Sequence, residues 1–208
     1  RLPVMVSGTI TDKSGRTLSG QTIEAFINSV SHIDLLTIGL NCSFGARDLK
    51  PYLEEMSRKA PFYISVHPNA GLPNQFGEYD ETPGAMKLQV ADFTRDRVVN
   101  IIGGCCGTTP EHIRELAQLA AKAHPHHRAK PDRATRLSGL EPLTISKLSN
   151  FVNIGERCNV AGSIKFARLI RDGKYDEALS IAREMVEGGA QVIDVNMDDA
   201  MLDAKKEM

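Results

Sequence analysis

Two hydrophobic patterns alternate along the first 123 residues of the chain. Short apolar runs predict strands at residues 3–10, 33–40, 62–66 and 98–102. Between them, apolar residues recur every three or four positions, which predicts helices at 20–31, 46–59, 82–93 and from 110 to about 123. This β-α order, repeated four times, indicates parallel strands that are joined by helical crossovers.

Four βα units equal half of a (β/α)₈ TIM barrel, and an open doubly wound sheet is the alternative fold. No G-x-G-x-x-G motif follows a strand, which counts against the dinucleotide-binding form of the doubly wound sheet. If the fold is a barrel, the chain carries the second half of it.

Residues 124–141 break the pattern, because they contain two prolines, many charges and few large apolar residues. We predict an interdomain linker here. The His-Pro-His-His run at 124–127 could bind a metal, although the composition favours the solvated end of a helix. The alternation then restarts with a strand at 151–154, a helix at 175–187 and a strand at 191–195. The predicted domains are therefore 1–123 and 151–208, with a linker at 124–150.

Composition excludes several classes of protein. The 25 Lys and Arg residues balance 26 Asp and Glu residues, so the chain lacks the basic excess of a nucleic-acid binder. No apolar run is long enough to span a membrane, and no targeting segment is recognisable, so we expect a cytoplasmic protein. Four cysteines are too few for a disulfide scaffold. The first residues, Arg-Leu-Pro, open directly on a strand, which leads us to expect a piece of a longer protein.

Three of the cysteines follow predicted strands. Cys42 comes just after the second strand, and Cys105 and Cys106 come just after the fourth. Loops at the carboxyl ends of parallel strands open on one face, so these thiols could meet there. Three thiolates with a free fourth position would suit a catalytic zinc ion. The alternatives are small buried residues or a strained Cys105–Cys106 disulfide.

Asn69 follows the third strand, in His-Pro-Asn-Ala-Gly at 67–71. Its side-chain oxygen could be a weak, displaceable metal ligand. The same residues are also those expected in an ordinary turn, so both interpretations remain open.

The segments Gly-Leu-Asn-Cys at 39–42 and Gly-Gly-Cys-Cys-Gly-Thr-Thr-Pro-Glu-His-Ile at 103–113 resemble the zinc-dependent homocysteine S-methyltransferases. In that family, one cysteine after the sixth barrel strand and a cysteine pair after the eighth bind zinc. The resemblance therefore implies zinc ligation by Cys42, Cys105 and Cys106. It also implies that the homocysteine sulfur takes the open position, and that Asn69 falls where an oxygen ligand can sit in the substrate-free enzyme.

The second domain is similar to the start of pterin-binding barrels. The similarity lies in Phe-Val-Asn-Ile-Gly-Glu-Arg-Cys-Asn-Val-Ala-Gly-Ser at 151–163 and in Gly-Gly-Ala-Gln-Val-Ile-Asp-Val-Asn-Met-Asp at 188–198. These barrels include dihydropteroate synthase and the methyltetrahydrofolate:corrinoid methyltransferases. The resemblance implies a second (β/α)₈ barrel, of which only the beginning is present. Four polar residues, expected at strand ends, are candidate pterin ligands: Asn153, Glu156, Asp194 and Asn196. Loop capping is the alternative role for each, and we expect Cys158 to be a free thiol.

A homocysteine domain that is followed directly by a pterin domain resembles the cobalamin-dependent methionine synthase family. The resemblance implies that methyltetrahydrofolate gives its methyl group to cobalamin, held by another module of the full-length protein, and that methylcobalamin then methylates zinc-bound homocysteine. On this reading we expect this chain alone to show no turnover. The alternatives are a homocysteine methyltransferase with another donor, such as betaine or S-methylmethionine, and a non-catalytic module that zinc stabilises. We expect no nucleic-acid or membrane partner.

Overall fold

The computed structural model describes residues 2–208, which form two compact units with their boundary between Thr144 and Ile145. The first unit contains β1 (Val4–Gly8), α1 (Ile23–Val30), β2 (Leu35–Gly45), α2 (Ala46–Lys59), β3 (Tyr63–Asn69), α3 (Pro83–Arg95), β4 (Ile101–Ile102), α4 (Pro110–Ala120), β5 (Thr135–Ser138) and β6 (Pro142–Ile145), of which β6 reaches the boundary. The second contains β7 (Ile154–Asn159), α5 (Ile164–Arg171), α6 (Tyr175–Glu187), β8 (Val192–Asn196) and α7 (Ala204–Glu207).

The main sheet of the first unit has the strand order β1-β2-β3-β4, and every neighbouring pair is parallel. The strands thus follow one another across the sheet in chain order. This order has no reversal of the kind that marks the ligand crevice of a doubly wound sheet. The predicted mixed α/β fold with parallel strands is confirmed.

One face of this sheet packs against the helices. Along β2 and β3, alternate side chains point to this face and are fully buried, as Ile38 and Val66 show. The helices cover them with one apolar stripe each, where buried residues recur at helical spacing. The core cluster includes Ile23, Ile27, Leu49, Leu53, Met56, Met86, Val90, Phe93 and Leu116.

The opposite face of β2 and β3 carries small and polar residues. The register pairs Gly39 with Ser65 and Asn41 with His67, so these four residues lie on the same face of the sheet. Ser7 of β1 donates a hydrogen bond from its Oγ to Asn41 Oδ1, at 2.7 Å. The polar row therefore leads along the strands towards the carboxyl edge of the sheet, where the cysteines lie.

Threonines begin three of the four long helices of this unit. The Oγ1 atoms of Thr22 and Thr82 accept hydrogen bonds from the backbone N–H groups of Ala25 and Ala85, and Thr109 begins α4. Pro83 and Pro110 occupy the first helical positions, where a missing N–H costs nothing. These local signals explain why the predicted helices of the first unit agree closely with the structure.

The segment predicted as a linker, residues 124–150, contains β5 and β6 as a two-stranded sheet. Ser138 Oγ donates to the carbonyl of Ala25 at 2.5 Å, and the N–H of Thr22 donates to the carbonyl of Leu140 at 3.0 Å, so this segment packs on the start of α1. The histidine run is also attached, since His126 Nδ1 lies 2.8 Å from the carbonyl of Arg97.

In the second unit, β7 and β8 form a parallel pair, and α5 and α6 cover it through a second cluster of buried residues that includes Phe166, Leu169, Ile170, Ala178 and Ile181. The predicted strand at 151–154 is wrong, because pairing with β8 begins only at Ile154 and continues to Asn159. Helix α5 was not predicted, although Ser163 caps it by accepting from the N–H of Phe166.

No helix within residues 2–208 has both the length and the apolar character that crossing a membrane requires.

The close contact of β2 and β3 at Gly39 gives a test of this packing. An added Cβ would lie 2.1 Å from the carbonyl oxygen of Ser65, so Gly39→Ala should lower the free energy of unfolding by about 1–3 kcal/mol. Gly84→Ala is the matched control, because a Cβ there meets nothing within 4 Å and lies in α3. The control should be neutral or stabilising by up to about 1 kcal/mol.

Urea titration, followed through the methyl NMR signals of Ile38 and Ile64, reports on the first unit alone. Equal midpoints for the two alanine variants would contradict this description of the sheet.

Candidate metal centre

Three thiols converge at the carboxyl edge of the main sheet. The Sγ atom of Cys42 lies 3.6 Å from that of Cys106, and the Sγ atoms of Cys105 and Cys106 are 4.0 Å apart. All three sulfurs lie within 4.8 Å of one another. Within residues 2–208, this is the one group of three or more His, Cys, Asp or Glu side chains with the spacing of a metal site. The His-Pro-His-His run forms no such group.

The spacing of the sulfurs fits a tetrahedral zinc ion. With Zn–S bonds of about 2.3 Å, tetrahedral geometry places two sulfur ligands about 3.8 Å apart. The two measured separations, 3.6 and 4.0 Å, lie on either side of this value. Thiolates are also the ligands that soft and borderline metals prefer. The donor set and its geometry therefore suit zinc, with three of four positions supplied by the protein.

Backbone hydrogen bonds attach the loop after β4 to the end of β3. The N–H groups of Gly103 and Cys105 donate to the carbonyls of Val66 and Pro68, at 2.9 and 2.8 Å. The N–H of Ala70 donates back to the carbonyl of Cys106, at 2.9 Å. The cysteine pair is thus held in the register of β3, although β4 itself has only two residues.

Asn69 lies at the centre of this arrangement and is only 3% exposed. Its Oδ1 accepts a hydrogen bond from the N–H of Cys106, at 3.1 Å. Its side chain also lies near the Cys42 thiol, whose pKa is lowered mainly by the Ser43 backbone and to a smaller extent by Asn69. Asn69 therefore holds the loop of Cys105 and Cys106 and lies beside Cys42. A role as an oxygen ligand stays a prediction.

Cys42 lies within β2, so the prediction that it follows this strand is wrong, and the backbone around it is unusual. Cys42 and Ser43 both have positive φ angles, 60° and 61°, in the left-handed region that side chains disfavour. Such conformations cost about 1–3 kcal/mol each and concentrate at functional sites. They occur where the pairing of β2 with β3 is interrupted between Asn41 and Gly45. The strain lets Cys42 face the other thiols.

The thiols of the cluster are not equivalent. The N–H of Ser43 donates to the Cys42 sulfur and is the main cause that lowers the pKa of this thiol. Burial, by contrast, raises the pKa of Cys105. Cys42 therefore ionises more readily than Cys105, because a thiolate needs donors and solvation.

The predicted pterin residues lie in the second unit. Glu156 and Asp194 lie within the adjacent parallel strands β7 and β8, near the bulge between Gly155 and Cys158, so the prediction that they stand at strand ends is wrong. Asn196 lies at the carboxyl end of β8, opposite Asn159.

Asn153 precedes β7, where its backbone pairs with Gln191. It is six residues before Asn159, which corresponds to about 20 Å of extended strand. The structure therefore does not bring Asn153 to the carboxyl end of the strands with Asn196.

A family model described as homocysteine S-methyltransferase matches residues 1–120, more than half of the 208-residue chain. The chain belongs to the homocysteine S-methyltransferase family. A second model, described as pterin binding enzyme, matches residues 155–208. The resemblances predicted from the sequence are confirmed at the level of these two families. Together they support a methyltransferase whose domains point to homocysteine and to a pterin or folate as substrates.

Three residues near the thiols of this methyltransferase domain were not predicted from the sequence: Tyr79, Glu81 and His112. Burial, followed by the interaction with the nearby Cys106 thiol, raises the pKa of Tyr79. His112 occupies the third position of α4, where a capping-box residue is expected, so the Thr-Pro-Glu-His sequence could have indicated it. No sequence signal links Tyr79 or Glu81 to cysteines more than 20 residues away.

The bond between Asn69 and Cys106 gives a prediction for the metal-free protein. Asn69→Ala removes the acceptor and should lower the free energy of local opening at Cys106 by about 0.5–1.5 kcal/mol. The Cys106 amide should then exchange its hydrogen roughly 2- to 13-fold faster. Asn69→Asp keeps an acceptor oxygen and is the matched control. Hydrogen exchange followed by NMR measures both, and unchanged exchange in Asn69→Ala would show that the bond does not hold this loop.

Proposed function

We propose that this chain forms part of an enzyme that methylates homocysteine at a zinc–thiolate site, with methyltetrahydrofolate as the methyl source by way of cobalamin. Residues 1–123 would be the second half of a zinc- and homocysteine-binding barrel, and residues 151–208 the start of a pterin-binding barrel. The observation that carries the proposal is the convergence of Cys42, Cys105 and Cys106 in a chain whose family acts on homocysteine.

The topology of the main sheet supports the half-barrel. Four parallel strands in chain order, with the helices on one face, match four consecutive units of a (β/α)₈ barrel. Cys42 lies near the carboxyl end of β2, and Cys105 and Cys106 follow β4, so all three thiols lie at the edge where barrel enzymes carry their active sites. The small and polar row at Gly39, Asn41, Ser65 and His67 would then face the inside of the barrel.

In this proposal, Cys42, Cys105 and Cys106 hold the zinc ion. Bound zinc would supply one effect, the lowering of a substrate thiol's pKa so that homocysteine is present as the nucleophilic thiolate at neutral pH. The protein's part is to hold the three sulfurs at this spacing. Asn69 assists by fixing the Cys106 backbone. Its Oδ1 has two lone pairs, so it could serve as a displaceable oxygen ligand while it accepts from that N–H.

In the second unit, we propose that Glu156, Asp194 and Asn196 contact the pterin ring, whose edge offers both donors and acceptors. The first two have exposed side chains, and Asn196 lies at the carboxyl end of β8. Asn153 is not among the proposed pterin contacts, because it lies at the amino end of β7.

The pterin match favours this proposal over a homocysteine methyltransferase that uses betaine or S-methylmethionine, since neither donor contains a pterin. Methylcobalamin would be bound by a module outside this chain, and transfer between the two substrate sites would require that module to reach each in turn. A cytoplasmic location fits thiols that must stay reduced.

Zinc binding tests the proposal through its three cysteines. We expect the chain to bind one zinc ion under reducing conditions, and Cys42→Ser, Cys105→Ser and Cys106→Ser each to weaken binding by about 100-fold or more, since loss of a ligand exceeds the 10- to 100-fold cost of losing a ligand's partner. Cys158→Ala is the control, because this buried thiol belongs to the core of the second unit. Competition with a fluorescent zinc chelator measures the dissociation constants.

Two results would refute the metal site: no zinc binding by the unmodified chain, or a loss of affinity in Cys158→Ala as large as that in the cluster variants.

A further inference from the structure

A chain of hydrogen bonds runs behind the thiol cluster and joins the N-terminal ends of α2, α3 and α4. We call it the relay, and it consists of the backbone of Arg47, the side chain of Gln89, both the side chain and the carbonyl of Glu81, the ring of His112 and the backbone of Thr109. Helix α2 directly follows β2, which carries Cys42, and α3 follows the loop after Asn69, the last residue of β3. Helix α4 follows the loop that carries Cys105 and Cys106. The relay is separate from the thiols, because none of its bonds is made to a sulfur.

The hydrogen bonds of the relay all have ordinary lengths. The N–H of Arg47 donates to Gln89 Oε1 at 3.1 Å, and Gln89 Nε2 donates to Glu81 Oε2 at 2.8 Å. The Glu81 carbonyl lies 2.9 Å from Nε2 of His112, and the N–H of Thr109 donates to Nδ1 of the same ring at 3.1 Å. His112 is only 5% exposed.

These contacts determine the tautomer of His112. A backbone N–H can only donate, so Nδ1 must present its lone pair to Thr109. A carbonyl can only accept, so Nε2 must carry the proton that it donates to Glu81. The ring is therefore neutral and protonated on Nε2, and it connects the start of α4 to the loop before α3.

This connection fixes the relative position of two loops. The loop before α4 carries Cys105 and Cys106, and the loop before α3 begins at Asn69, which binds the N–H of Cys106. The two loops are thus joined at both of their ends, by Asn69 next to the thiols and by His112 at the helices. Groups that hydrogen-bond directly to metal ligands typically change metal affinity 10- to 100-fold when they are lost. His112 acts one step further from the sulfurs, so its effect should lie at or below the lower end of this range.

We propose that His112, as its Nε2-protonated tautomer, is a positioning residue that holds the Cys105–Cys106 loop against the loop of Asn69 and so maintains the sulfur spacing for a metal ion. The inference rests on the proposed zinc–thiolate function. It assigns to His112 no contact with metal or substrate.

Two substitutions separate this role from simple capping of α4. Asn places its Oδ1 where His has Nδ1, so His112→Asn keeps the acceptor for Thr109 and loses the bond to Glu81. Gln places its Nε2 where His has Nε2, so His112→Gln keeps the donor to Glu81. We expect His112→Asn to raise the zinc dissociation constant by up to about 10-fold, the lower end of the range for direct partners of ligands, and His112→Gln to stay near the unmodified value.

The measurements use the full chain and a fluorescent zinc chelator as competitor. Equal affinity in all three proteins, equal loss in both variants, or loss in His112→Gln alone would overturn the proposal. If the unmodified chain bound no zinc, the proposed function itself would fail, which distinguishes the two claims.

Long-range ¹H–¹⁵N NMR of the metal-free, unmodified chain gives a second test that does not depend on a variant's folding. We expect the His112 proton on Nε2. A ring protonated on Nδ1 would overturn the proposal.

Discussion

The hydrogen bonds between the end of β3 and the loop after β4 determine where the thiols lie. Strand β4 has only two residues, so strand pairing alone would leave Cys105 and Cys106 free to move. Three backbone bonds and the Asn69 side chain continue the register of β3 for several residues beyond the ladder. The cysteine pair can therefore meet Cys42, which comes from a strand on the other side of β3.

This arrangement includes strained backbone and close contacts, which are unfavourable locally and are offset by the rest of the unit. Cys42 and Ser43 adopt left-handed backbone conformations, and a Cβ at Gly103 would lie 2.5 Å from the His67 ring. The buried core between the sheet and its layer of helices contributes free energy of folding that offsets this strain. Three of the four helices that cover this face, α2, α3 and α4, are joined near their N-terminal ends by the relay through His112. The core and the candidate metal centre are thus parts of one structure.

Much of the first unit could be predicted from its sequence, because the signals are local. Threonine caps, prolines at first helical positions and apolar residues at helical spacing occur within a few residues of the elements that they specify. The convergence of the three thiols could also be expected, since parallel strands place their carboxyl ends on one edge. Helix α5 was missed despite its local cap at Ser163, whereas two other failures depended on distant partners. The strand at Ile154–Asn159 is set by pairing with β8, and β5 is held by contacts with α1 that are more than 100 residues away in the chain.

The candidate site shows the same division. The residue types at positions 42, 105 and 106 pointed to a metal, but the orientation of Asn69 followed only from the loop that it contacts. Tyr79, Glu81 and His112 gained their roles from the fold, because their partners lie on other elements. Asn153 was misplaced because the start of β7 was misplaced. The metal-binding character of the cysteines could be inferred from the sequence, whereas the residues that position those cysteines could be identified only from the structure.

In the proposed function, three cysteine sulfurs hold a zinc ion whose remaining position accepts a substrate thiol. Zinc X-ray absorption on the loaded chain, before and after addition of homocysteine, tests this coordination. We expect three sulfurs and one lighter atom in the first spectrum and four sulfurs in the second. A coordination shell with fewer than three sulfurs, or one that homocysteine leaves unchanged, would contradict the proposal.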